Sequence, residues 1–232
     1  MYSIQPANFL DHYRTERKKK NPWIFFIVLI ALIALGVASV FAARSVLRIV
    51  DYTQKAKDHL LYSVTLLRDQ QFAYARTNIA SAQYYLRSVQ EDLSGLRAIA
   101  AVPVLGRQVR AFTYTIATID RLSIAMDRGA QFANKLVTTI VGNKPLHFSE
   151  ITPEQKRLFL AQLFEASPVL QGIKSDVDLA MLSLARVPDR FLLPPLASAV
   201  EPLKMQLPRA QHSLQIALPL LDALPLVSGY PK

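Results

Sequence analysis

The stretch WIFFIVLIALIALGVASVFAA, Trp23 to Ala43, runs for twenty-one residues without a charge. It constrains the rest of the chain more than any other feature. At 1.5 Å per residue a helix of that length spans about 30 Å, the thickness of the bilayer hydrocarbon. The reading is a transmembrane helix over residues 23–43. A cleaved signal peptide shares the basic start, and Val40-Phe41-Ala42 has the shape of a cleavage site. Signal peptides, however, carry apolar cores of only about 7 to 15 residues, so the length favours an uncleaved anchor.

Flanking charge sets the orientation. Arg14, Arg17, Lys18, Lys19 and Lys20 precede the run, four of them contiguous, and residues of this kind stay in the cytoplasm. Arg44 and Arg48 on the far side weaken the asymmetry without reversing it. RKKK in isolation also reads as a nucleic-acid patch, but beside an apolar span it is a topology signal. Arg17, Lys18, Lys19, Lys20 and Trp23, the last in an interfacial aromatic belt with Phe25 and Phe26, are the residues expected to fix topology. Residues 1–22 are then a cytoplasmic tail, and residues 44–232 are exported.

The chain has no cysteine, so an exported part must hold itself together by packing alone, without disulfides, thiol chemistry or a cysteine metal site. Its net charge of +10 divides unevenly. The tail carries five basic residues against two acidic ones, and residues 44–232 carry twenty-two against fifteen. The exported part is basic in its own right and suits anionic lipid headgroups or anionic envelope polymers. Charge spread along the chain equally suits a solvated surface.

Five helical segments follow, each with apolar residues at alternating three- and four-residue steps. The first continues outward through Ile49, Thr53, Ala56, Leu60 and Leu67. The second, about Ala73 to Ala101, carries Ala75, Ile79, Ala82, Leu86, Val89, Leu93, Leu96 and Ala100. VPVLG at 102–106 interrupts, with Pro103 lacking an amide proton and Gly106 allowing left-handed backbone. The third carries Val109, Phe112, Ile116, Ile119, Met126, Ala130, Ala133, Val137 and Ile140, with Ser123 in the one polar slot. Thr152, Pro153 and Gln155 form a capping box that starts the fourth, kinked at Pro168. The fifth reads Val200, Leu203, Leu207, Ala210, Leu214, Ala217, Leu221 and Leu224, with Pro208 and Pro219 inside it. No stretch alternates with a two-residue period. The expected fold is all-α, a transmembrane helix continuing into an elongated antiparallel helical bundle over 44–224, with 225–232 as a linker. A tetratricopeptide-like stretch at 69–86 has no second copy at the 34-residue period.

The chemistry-bearing residues form no constellation. His12, His59, His147 and His212 lie on different segments without a second ligand at helical spacing, so neither a metal nor a cofactor site is expected. Glu91-Asp92 and Asp176-x-Asp178 point to different helix faces, which is wrong for a shared proton or ion, and they are expected as surface charges. Tyr84, Tyr85 and the other tyrosines suit sugars or nucleotides, or amphipathic packing at a boundary. Ala34, Ala38 and Ala42 form a small-x-x-x-small row within the span.

The basic tail, the single span, the helical region broken by VPVLG at 102–106 and the closing LLDALPLVSGYPK at 220–232 together resemble the N-terminal part of bacterial domain-of-unknown-function 4012 proteins. In that family such a stretch leads into a strand and a motif rich in Gln, Asn, Glu, Arg and paired Gly, which this sequence lacks. The resemblance implies an envelope location and a functional module beginning after Lys232.

The expected function is therefore non-enzymatic: a single-pass envelope protein acting as spacer or interaction platform, with membrane lipid and an envelope polymer or protein as partners, and no nucleic acid. The alternative is the anchored half of an enzyme acting on surface polysaccharide, its active module beyond residue 232. A chemoreceptor-like sensor ranks last, since twenty-two cytoplasmic residues leave no transmitter. Oligomeric state has no signature in the sequence.

Overall fold

The computed structural model describes residues 22–96, 103–142, 151–188, 192 and 194–228, with most side chains from Ala43 onward. Among these residues there are six helices and no strand: α1 (Pro22–Arg68), α2 (Phe72–Gly95), α3 (Pro103–Val141), α4 (Pro153–Phe164), α5 (Ser167–Ala185) and α6 (Pro194–Ser228). The chain divides into two units, Met1–Ala43 and Arg44–Lys232. Of the first, only the helical backbone of residues 22–43 is described. Among the described residues no helix is long and apolar enough to cross a membrane. The expected span over 23–43 has its side chains outside them, apart from Ala43.

The second unit is all-α, and α3 is its pivot. One face of α3 joins a core made by Ile49 and Ala56 of α1, by Leu86, Val89 and Leu93 of α2 with Leu96 just after it, and by its own Ile116, with Phe112 and Ile119 packed against it. Another face joins a separate core: Ala111 of α3, Ala180 and Leu184 of α5, Val187, and Val200 and Leu207 of α6. The end of α3 closes a small third cluster, Ile140 with Ile151, backed by Phe159 of α4. The seam expected in α2 is buried from Ala75 to Leu96, while Ala100 lies outside the described residues.

The turns follow from local chemistry. At the α1–α2 connection the Gln70 amide donates to Leu67 O and the Gln71 amide to Leu66 O, at 3.2 and 2.8 Å. With Gln70 at φ +58° this is a Schellman motif. A left-handed non-glycine residue there costs about 1–2 kcal/mol. At the end of α3, Gly142 takes φ +70° and its amide donates to Thr138 O, a left-handed cap without a Cβ penalty. The α4 start is the expected capping box: Thr152 Oγ1 accepts from the Gln155 amide at 3.2 Å, and Gln155 Oε1 accepts from the Thr152 amide at 2.8 Å.

Two local expectations need correction. Pro103 is the first residue of α3, and Gly106 sits in its first turn in helical conformation. Proline at the first helical position loses no hydrogen bond and has its φ preset, so VPVLG begins a helix. Pro168 breaks the fourth segment outright into α4 and α5, with turn residues at 165–166 between them. Without its amide it cannot bond the carbonyl of Phe164. In α6, by contrast, Pro208 and Pro219 lie inside one assigned helix that runs through Pro225 to Ser228. Its seam is buried at Val200 and Leu207, but Ala210 is exposed and Leu214, Ala217 and Leu221 are only half-buried.

Candidate functional site

Polar groups are used mainly to tie neighbouring helices. Arg48 Nη2 of α1 donates to Asp92 Oδ1 of α2 at 2.7 Å. Arg76 Nε of α2 donates to Asp127 Oδ1 of α3 at 2.9 Å. Arg128 Nη1 of α3 lies 3.2 Å from Asp176 Oδ2 of α5. Asp178 of α5 accepts from Gln211 Nε2 of α6 and from Lys174 Nζ, both at 2.6 Å. Arg128 pairs with Asp176 while Thr118, ten residues earlier on α3, reaches Ala180, four residues later on α5, so α3 and α5 run antiparallel.

These ties overturn the expectation of surface charge for Asp92 and Asp176, whereas Glu91 is exposed as expected and the Asp178 side chain keeps 34% exposure. Asp176 is buried, and the Asp92 side chain is only 14% exposed. Residues two apart do point to different faces of a helix. On α5, however, both faces are covered: Asp176 meets α3 and Asp178 meets α6. Likewise the adjacent Asp127 and Arg128 serve α2 and α5 separately. Periodicity read from one helix reports the faces and not how many neighbours it has.

The Arg128–Asp176 pair depends on a glycine. A Cβ built on Gly172 would lie 2.6 Å from Arg128 Nη1, so the guanidinium passes across α5 where a side chain is missing. Asp176 Oδ2 is within ion-pair distance yet has no aligned hydrogen-bond donor. The charge is compensated and the lone pair is not. Beside this pair the α4–α5 break opens a cleft of about 430 Å³, lined by Arg128, Gln131, Phe132 and Lys135 of α3 and by Gln162, Glu165 and Val169 around the break. Two cations, one carboxylate and two amides beside Phe132 and Val169 suit polar contacts. They form no nucleophile–base pair, and among the described residues no group of three metal-ligating side chains occurs.

A second polar cluster lies between α1 and α2. His59 stacks on Tyr85 with ring centroids 5.7 Å apart, Tyr52 lies 5.7 Å from the same ring, and exposed Tyr84 meets Tyr85 edge-on at 5.5 Å. Lys55 Nζ is 5.8 Å from the centroids of both Tyr52 and Tyr85. Asn78 Nδ2 donates to Tyr74 O, leaving Oδ1 as an acceptor 3.0 Å from His59 Nδ1. That arrangement requires the proton on Nδ1. Tyr85 thus packs between helices, and Tyr84 keeps an open face.

Two carboxylates are perturbed in opposite directions. Burial pushes Asp120 of α3 above the usual carboxylate range, opposed by Arg87, Arg121 and a hydrogen bond from Gln90. Hydrogen bonds from Lys174 and Gln211 hold Asp178 below it.

Of the residues expected to fix topology, Arg17, Lys18, Lys19 and Lys20 lie outside the described residues, and Trp23 is described only as helical backbone in α1. His12 and His147 also lie outside them. His59 joins the aromatic cluster, and His212 is exposed on α6. Compared with known protein families, with curated proteins and with solved structures, the chain matches none.

Proposed function

We propose that the protein is a single-pass membrane protein of the bacterial envelope whose residues 44–232 form an extracytoplasmic helical platform. The observation that carries this reading is the uncharged run Trp23–Ala43 directly behind Arg17–Lys20, on a backbone that is helical from Pro22 to Arg68. Among the described residues the paired charged side chains are used mainly between helices. The ties Arg48–Asp92, Arg76–Asp127 and Arg128–Asp176 spend the charged side chains of several helices on holding register. Such a unit suits display or spacing of a surface. The resemblance to domain-of-unknown-function 4012 proteins supports the location.

Alkaline carbonate extraction of membranes from cells expressing the full chain tests the anchor. The reading expects the protein to stay in the pellet and to require detergent. Release into the alkaline supernatant would exclude a spanning helix.

A further inference from the structure

We infer that the end of the second unit formed by residues 44–50 of α1, the end of α2 and the start of α3 rests on anionic phospholipid headgroups. This deepens the membrane reading above and depends on it.

Three observations converge on that end. The Arg48–Asp92 bond and the core that Ile49 shares with Leu93 and Leu96 set the part of α1 just after Ala43 beside the last turns of α2. Arg76 meets Asp127 far along α3, so α2 and α3 run antiparallel, and the first turns of α3 come to the same end. There the surface is both apolar and basic. Leu47 is 70% exposed, Val50 62% and Leu105 52%, while Arg44, Arg48, Arg107 and Arg110 are exposed around them. Over residues 44–50, 92–96 and 103–110 the acid present is Asp92, already bound by Arg48, with Glu91 one residue farther up α2 and Asp51 one residue farther along α1.

Chain connectivity supplies the occupant. Val46, Leu47 and Val50 follow Ala43 by three to seven residues, about 5–10 Å along a helix. That is the depth of the headgroup layer beyond the hydrocarbon. Exposed leucines and valines are costly in water and favourable at that depth, and arginines there meet phosphates with paired donors. The opposite end is less basic: around the α1–α2 turn the exposed groups are Arg68 beside Asp69, Gln71, Ala73 and Tyr74.

The absence of native cysteine allows single-site labelling of the full chain. Leu105→Cys at the basic end and Tyr74→Cys at the other end would carry a fluorophore. Each labelled protein would be reconstituted in phosphatidylcholine vesicles with or without phosphatidylglycerol, with a quencher attached to lipid headgroups. The expected result is quenching at position 105 on phosphatidylglycerol vesicles, several-fold weaker on phosphatidylcholine alone. It should also weaken in high salt, where screening shortens to about 3 Å at 1 M, and position 74 should stay unquenched throughout. Adding Arg107→Glu and Arg110→Glu should remove the lipid dependence while helicity stays unchanged. If the protein floats with the vesicles but position 105 is quenched no more than position 74, the docking is refuted and the anchor stands. Quenching at 105 that survives both charge reversals and salt would also refute it, because the contact with the bilayer would then be apolar and independent of anionic headgroups. Failure to float would refute the anchor and the docking together.

Discussion

Replacing Gly172 with alanine should destabilise the protein, although alanine is the better helix former. Gly172 lies inside α5, where the change ordinarily gains about 0.8–1 kcal/mol. The new methyl would sit 2.6 Å from Arg128 Nη1, too close to coexist, and the flexible guanidinium would yield before the backbone. Its departure leaves Asp176, 4% exposed, without its counter-charge. Breaking a fully buried pair costs about 3–5 kcal/mol. Arg128 is 46% exposed, so solvent screens part of the attraction and about 2 kcal/mol is a fair figure for this pair. The net loss is then about 1 kcal/mol, or roughly 2–4 °C in melting temperature for a unit of this size. In an Asp176→Asn background no buried charge is orphaned, so the same Gly172→Ala change should stabilise by up to about 1 kcal/mol. A double-mutant cycle by thermal unfolding at 222 nm, all four proteins in one detergent, reads the coupling as about 2 kcal/mol with a reversal of sign. Equal effects of Gly172→Ala in both backgrounds would refute the reasoning, because Arg128 would then not be what the methyl displaces.

Other consequences follow from single sites. Thr152→Ala removes the capping acceptor at the start of α4 and should lower stability by about 1 kcal/mol, with protease cleavage rising first within residues 153–164. Gln70→Gly relieves the left-handed backbone of the α1–α2 turn and should raise the unfolding midpoint by the equivalent of about 1 kcal/mol. Asp178 and Asp120 should impose opposite pH dependences. Asp178 has its folded value held down, so its contribution is complete above the ordinary carboxylate range and fades as pH falls through the lowered value. Asp120 has its folded value pushed up, so its ionised form opposes folding and protonation in mild acid relieves it. Accordingly Asp178→Asn should destabilise at neutral pH and Asp120→Asn should stabilise, as measured by urea midpoints across pH, and both differences should shrink in acid.

The helices were legible where one stripe of large apolar residues faces one neighbour. On α2, Ala75, Ile79, Ala82, Leu86, Val89, Leu93 and Leu96 repeat at three and four residues, and all are buried. The second face of α3 was not legible, because Ala111, Thr115, Thr118 and Ala125 are small or polar and carry no hydrophobic signal. Their size is the point: Thr118 Oγ1 satisfies itself on Tyr114 O at 2.8 Å and lies 3.5 Å from Ala180 O across the gap, so α3 and α5 approach closely. The same blindness hid the ties. Asp176 looks like any solvated helix acid until α5 is known to lie between α3 and α6, and Gly172 looks like a propensity defect until Arg128 is seen crossing it. Proline was ambiguous for a local reason. Its effect depends on whether the amide it lacks was needed, and sequence shows the residue without the partner.

The central claim is that residues 1–22 and 44–232 lie on opposite sides of a membrane. A membrane-impermeant maleimide applied to intact cells tests it directly, with Gln5→Cys reporting the tail and Tyr74→Cys, 69% exposed in the native residue, reporting the helical unit. The account predicts labelling at position 74 before lysis and at position 5 after lysis alone. Labelling of position 74 that requires lysis would contradict it and return the basic helical unit to the cytoplasm.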